Sequence, residues 1–332
     1  MESKTDDLFK GEQMEELLRL YFLDLGYYVI RGSKLRFHEV EVTDVDLWLY
    51  HRSNPISRER INVDIKNKVR PMAIERIIVA KGIMDILGFD RCIVATSDKR
   101  DEVIEFGEKR GVTVLNGNFL NKIKSLTSQR LSEEKLNSLL KDEFTKFTTN
   151  WYLKNESAKS GILENLDFVG ANSLLIDIKE ILIQFHSTPL KREGLTRLLY
   201  LFVSYILITV DFILKDMAFI EASAKNKHLE DGFRYGITGK TKIKIRIEQM
   251  ATASNRSPQS IIGAVETLPV DILRDFFGKN DNAKNLFKLA KEFENYAYLN
   301  SLTKPLDLPP ELKGVIGLLC DFSGIDRKMI FG

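Results

Sequence analysis

The chain has 332 residues, 44% of them hydrophobic and 29% charged, with a formal net charge of only +2. That length favours two domains over one, and the apolar content supplies a core for each. The near-balance of 49 basic and 47 acidic residues excludes a globally polycationic nucleic-acid binder, so any basic footprint has to be local. Cys92 and Cys320 both lie in apolar stretches and read as reduced, buried thiols of a cytoplasmic protein. Residues 1–10 are polar and hold no apolar signal core.

In chain order, Met14, Leu17, Leu18, Tyr21 and Leu25 recur at helical spacing, and Gly26 closes that helix. Tyr27 to Arg31 reads as a strand, followed by a polar connection through Gly32 and Lys34. Leu47 to Tyr50 and Ile61 to Ile65 read as two more strands, joined by a polar loop with Asn54-Pro55. Pro71 starts a second helix whose expected buried face is Ile74, Ile77, Ile78 and Met84. Cys92 to Ala95 is a short strand, Glu102 to Arg110 a helix, Val112 to Leu115 a strand, and Asn116-Gly117 a turn. Residues 1–125 therefore read as an α/β domain, a mixed sheet flanked by helices.

Beyond that the pattern turns helical, with helix starts at Ser132 and at Ser257-Pro258. Residues 126–332 read as a mainly α-helical domain for assembly, targeting or regulation, with a small β element near residues 233–247. In that element Lys240, Lys242, Lys244 and Arg246 alternate with isoleucines, as on a half-buried strand. Gly239-Lys240-Thr241 is no phosphate loop, because the required upstream glycine is replaced by Arg234. The apolar run Leu198 to Val210 is shorter than the roughly 20 residues of a membrane span and reads as a core helix, so no membrane is expected.

Chemistry gathers in the first half. Side chains alternate along a strand, so Asp64 and Lys66 share one face, about 6–7 Å apart, while Ile61, Val63 and Ile65 share the other. Asp46 opens the neighbouring apolar strand, at the end where pairing brings it near Asp64. Two carboxylates so placed repel unless a cation neutralises them, and Mg²⁺, with Mn²⁺ as the alternative, suits oxygen donors. Such a site can hydrolyse a phosphodiester. In that scheme Asp46, Asp64 and the backbone carbonyl of Ile65 bind the metal, Lys66 acts beside the attacking water, and Glu15 works through a water or accepts a proton. Asp44 is the rival for the role of Asp46; His38 and His51 have no ligand spacing and read as structural.

These residues carry a resemblance. Gly11 to Glu15 running on to Gly26-Tyr27-Tyr28-Val29, then Val45-Asp46-Leu47-Trp48-Leu49, then Val63-Asp64-Ile65-Lys66, resemble the PD-(D/E)xK nuclease superfamily. The nearest branch is the archaeal Holliday-junction resolvases and Mrr-type restriction enzymes, and Ile93 to Ser97 and Val112 to Leu115 match its tail. The likeness covers about residues 8–125 and implies a restriction-endonuclease-like fold, with Glu15, Asp46, Asp64 and Lys66 catalytic. Asp64 departs from the branch, which more often has glutamate there, and the loop from His51 to Arg60 is long for a hairpin.

The resemblance implies a Mg²⁺-dependent DNA endonuclease in restriction or defence. The alternatives are a non-catalytic nuclease-fold subunit of a larger assembly and an RNA-cleaving enzyme. Cutting both strands of a duplex needs two sites, so a homodimer is expected, and a further partner subunit is compatible with the helical half. Arg31, Lys34, Arg36, Arg52, Arg58, Arg60, Lys68 and Arg70 flank the site, and Lys34, Arg36, Lys68 and Arg70 are the expected nucleic-acid contacts. The competing account is surface charge balanced by Glu39, Glu41 and Glu59.

Overall fold

The computed structural model describes residues 10–38, 40–66, 72–126, 129–144, 149–187, 193–254 and 257–331. The chain divides into two compact units, one of residues 1–142 and 155–164, the other of residues 143–154 and 165–332.

The first unit is α/β. In order it contains α1 (Lys10–Asp24), β1 (Tyr28–Phe37), β2 (Val40–Arg52), β3 (Arg58–Lys66), α2 (Ala73–Leu87), β4 (Arg91–Thr96), α3 (Asp101–Glu108), β5 (Thr113–Leu115) and α4 (Gly117–Ile123). The five strands form one sheet in sequence order, β1 to β3 antiparallel and β3 to β5 parallel. Helices cover both faces, as parallel pairing requires. Met14, Leu18 and Phe22 of α1 and Leu120 and Ile123 of α4 pack on Leu47, Leu49, Ile61, Val63 and Ile65. Ala73, Ile77 and Ala80 of α2 and Val103 of α3 pack on Cys92 and Val94 from the opposite side. Gly107 is where α3 meets β5: a Cβ there would stand 2.4 Å from Val114 Cγ2 and 2.9 Å from the Val112 carbonyl oxygen.

Several elements differ from the sequence pattern. β1 runs through Gly32 and Lys34 to Phe37, and β2 begins at Val40, because these segments pair with each other. Pro71 lies outside the described residues, and α2 starts at Ala73. Its inward face is Ala73, Ile77, Ala80 and Ile83, which turns Ile78 outward with 60% exposure. Asn116 is not a simple turn residue. Its side chain accepts the amides of Asn118 and Phe119 and caps α4, which the sequence reading had missed.

Two later helices complete the first unit in part: α5 (Glu133–Phe144) and α6 (Trp151–Glu164). Lys159 of α6 is buried and donates to the Arg31 carbonyl at 3.2 Å and to Glu133 at 3.0 Å, with Glu156 2.6 Å away. Burial disfavours its charge, but the two carboxylates outweigh that and raise its pKa.

The second unit is helical: α7 (Phe168–Ser187), α8 (Glu193–Lys215), α9 (Ala222–Tyr235), α10 (Gly239–Ser254), α11 (Pro258–Glu266), α12 (Val270–Gly278), α13 (Asn280–Tyr298), α14 (Pro310–Ser323) and α15 (Lys328–Phe331). α8 holds the apolar run Leu198 to Val210 and packs against α7 and α13. It is long and apolar enough to cross a membrane, and 89% of that stretch is buried within the protein. Glu143 caps it, accepting the amides of Gly194 at 2.8 Å and Leu195 at 3.1 Å. Asp211, which directly follows the apolar run, is also buried.

The expected β element near residues 233–247 is helical instead, formed by α9, a short 3₁₀ turn and α10. Lys240 and Lys244 both reach Glu266, at 3.4 and 3.3 Å, one turn of α10 apart. Ile243 and Ile247 are half-buried while Ile245 between them is exposed, so burial follows the helical period and not the alternation.

Replacing Lys159 by methionine fills the same space but leaves Glu133 and Glu156 buried without their cation. The expected loss is roughly 3–5 kcal/mol in urea unfolding of the full chain. A loss under about 1 kcal/mol would show that this ion pair does not hold α5 and α6 to the sheet.

Candidate active site

The carboxylates stand where β2 parts from β3. β2 pairs with β3 from Arg52↔Arg58 to Leu47↔Val63, but with β1 all the way back to Val40. One step beyond the Leu47↔Val63 pair, the register sets Asp46 opposite Asp64. Asp46 ends the ladder with its side chain, Oδ2 accepting the Ile65 amide at 2.6 Å. The N–H and C=O of a strand residue point to the same side, so the Ile65 carbonyl also faces β2.

Asn62 and Asp64 point the other way from the core residues of β3, toward α2. Asn62 Nδ2 donates to the Ala80 carbonyl at 3.2 Å. Arg76, in the first turns of α2, grips Asp64 with two nitrogens: Nε donates to Oδ2 at 2.8 Å and a terminal nitrogen pairs with Oδ1. This is the bidentate form of the arginine–carboxylate pair. Lys66 ends β3, half-buried, and its positive charge acts on Asp46 and Asp44.

Glu15 comes from α1 and is held by Arg31 of β1, whose Nε donates to Oε2 at 2.9 Å. Arg31 is only 4% exposed and also meets Glu16 at 3.3 Å and Glu134 at 2.5 Å. Of the two neighbouring glutamates, Glu15 feels the charge of Asp46, while Glu16 binds Arg19 and Arg31.

Burial raises the pKa of Asp46, opposed by the Ile65 amide and then by Lys66 and Arg76. Burial likewise raises that of Glu15, with Arg31 opposing and Asp46 adding to the rise. Burial lowers the pKa of Arg76, opposed by Asp46. Both acids are thus held in an environment that disfavours their negative charge.

Among the described residues, no three His, Cys, Asp or Glu side chains come together as a metal-binding group. Mg²⁺ needs only one or two carboxylates, since water and a phosphate complete its shell. Asp46, Asp64 and the Ile65 carbonyl are oxygen donors of that kind, and in this structure the Arg76 guanidinium binds Asp64 and bears on Asp46. The donor chemistry fits a hard divalent cation. Glu15, tied to Arg31, stands outside the direct set.

The described basic residues flanking the site have different settings. Arg31 is buried, Arg58 donates to the carbonyls of Asn54, Pro55 and Ser57, and Arg60 binds the Gly88 carbonyl beside the Phe89 ring. These three serve the fold. Lys34 pairs with Glu41 at 2.7 Å, and Arg36 is exposed on the same strand. Lys68 and Arg70 lie outside the described residues. His51 packs beside Tyr27 at 5.3 Å between ring centres, and His38 is exposed in a left-handed conformation.

Comparison with known protein families, with curated proteins and with solved structures finds no match to this chain. The sequence reading had not singled out Arg76. The only trace it leaves there is a charged residue on the face of α2 that carries Ala73, Ile77 and Ala80.

An acid whose pKa is raised by folding stabilises the fold below its unfolded value and loses that contribution as pH rises through the folded value. Asp46→Asn keeps an acceptor for the Ile65 amide and removes the charge. In EDTA, the stability difference between Asp46→Asn and wild type should grow in favour of the variant from about pH 4 upward. Thermal melts across pH check this, and a difference that does not change with pH would remove burial as a cost to Asp46.

Proposed function

We propose that the chain is a metal-dependent endonuclease of the PD-(D/E)xK type, nearest the Mrr and Holliday-junction resolvase branch, acting on DNA in restriction or defence. The carrying observation is the placement of Asp46 opposite Asp64, with Lys66 ending the same strand, where β2 leaves β3. The mixed sheet with α1 and α2 on opposite faces supports the restriction-endonuclease-like reading of the fold.

In this reading Asp46, Asp64 and the Ile65 carbonyl hold Mg²⁺, or Mn²⁺ in its place. When bound, the ion polarises the phosphate and activates water. Lys66 places positive charge beside Asp46 and can offset the charge that develops on the phosphate. Glu15, with its raised pKa and its bond to Arg31, is oriented to exchange a proton at the edge of the site. A homodimer would present two such sites to the two strands of a duplex.

One observation favours a second reading. Asp64 and Glu15 are each held by an arginine, so the fold could serve as a non-catalytic DNA-binding or assembly subunit. Cleavage of RNA would use the same residues as cleavage of DNA.

The test is incubation of the purified chain with supercoiled, linear, branched and single-stranded DNA and with RNA, in Mg²⁺, Mn²⁺ or EDTA. Cleavage should need the metal and fall by about 100-fold or more in Asp64→Asn and Lys66→Ala. Glu15→Gln should cost about tenfold and Glu12→Gln almost nothing. Wild-type rates in Asp64→Asn would place the activity elsewhere, and binding without cleavage of any substrate would favour the scaffold.

A further inference from the structure

Resting on the nuclease reading, we propose that Arg76 is the resident counter-cation of the site and that divalent metal loads only by displacing it from Asp64. The pair is built for exchange. Asp64 is 6% exposed and cannot remain charged alone without a large cost, whereas the Arg76 side chain is 26% exposed and has a route to solvent. Both oxygens of Asp64 are engaged by the guanidinium, so a metal binding to either one competes with it. Arg76 also bears on Asp46, so one guanidinium offsets part of the charge of both aspartates.

Charge counting gives the same direction. Asp46 and Asp64 carry two negative charges, and Arg76 and Lys66 carry two positive ones. A divalent ion added to that balanced set finds no net negative charge to attract it; one that replaces Arg76 meets a site with net negative charge. Arginine is never neutralised near physiological pH, so exchange means swinging the side chain away, not deprotonating it. A phosphate entering beside the metal offers the freed guanidinium a new bidentate partner, so substrate and metal would favour each other's binding.

The test is Mn²⁺ binding to the full chain at pH 7 without nucleic acid, by titration calorimetry or by the electron-spin signal of free Mn²⁺. Arg76→Gln should bind Mn²⁺ about tenfold more tightly than wild type. That is about 1.4 kcal/mol, the scale of a charge-assisted hydrogen bond. Arg76→Lys, which keeps the charge but loses the two-pronged grip, should fall between them. Asp64→Asn should abolish the binding in every background. Should Arg76→Gln not fold, Arg76→Lys alone decides, since affinity no higher than wild type overturns the proposal. Equal or weaker Asp64-dependent binding in Arg76→Gln overturns it while leaving the nuclease reading intact. Absence of any Asp64-dependent Mn²⁺ binding in wild type and variants overturns both.

Discussion

Negative charge collected at one end of a sheet has to be balanced, and how that is done organises the first unit. Asp46 and Asp64 are brought opposite each other by strand register, and Glu15 comes close enough for its charge to be felt. Each is answered locally: Asp64 by Arg76, Glu15 by Arg31, Asp46 by a backbone amide with Lys66 nearby. The answering groups come from α2, β1 and β3. The acids therefore tie helices on both faces to the sheet at the point where its hydrogen-bond ladder ends.

The same electrostatics reach into α5 and α6. Arg31 collects Glu15, Glu16 and Glu134 with its guanidinium, while its carbonyl takes the ammonium of Lys159. Buried charges of this kind are tolerated only as closed sets, because each member left alone would carry the full desolvation penalty. Residues 155–164, which include Lys159, belong to the sheet-containing unit. In the second unit, buried Arg197 of α8 does comparable work, donating to the carbonyls of Ala297 and Leu299 where α13 ends.

What could be read from sequence was whatever packing decides locally. Met14, Leu17, Leu18 and Tyr21 on α1, the shared face of Ile61, Val63 and Ile65 on β3 and the apolar run of α8 were legible from their spacing, although Leu25 is exposed and β3 and α8 are buried on every side. The first half of β2 was not, since Val40 and Val42 are exposed and only pairing with β1 makes that stretch a strand. α10 misled for the opposite reason. Its lysines and isoleucines alternate, yet the residues that are partly buried are four apart. The carboxylates and Lys66 could be named from spacing, but their partners could not. Arg31 and Arg76 meet Glu15 and Asp64 across 16 and 12 residues, and nothing in either local pattern marks them as each other's counter-ions.

The hydrogen bond from the Ile65 amide to Asp46 has a spectroscopic side. Most strand amides are paired with carbonyls, whose electron density changes little with pH or ions. This one is paired with a titratable carboxylate at 2.6 Å, and sits beside the carbonyl proposed as a metal donor. Its proton resonance should therefore respond to the ionisation state of Asp46. A single backbone signal in an isotope-labelled 38.1 kDa chain thus reports on the site directly, with no ligand attached.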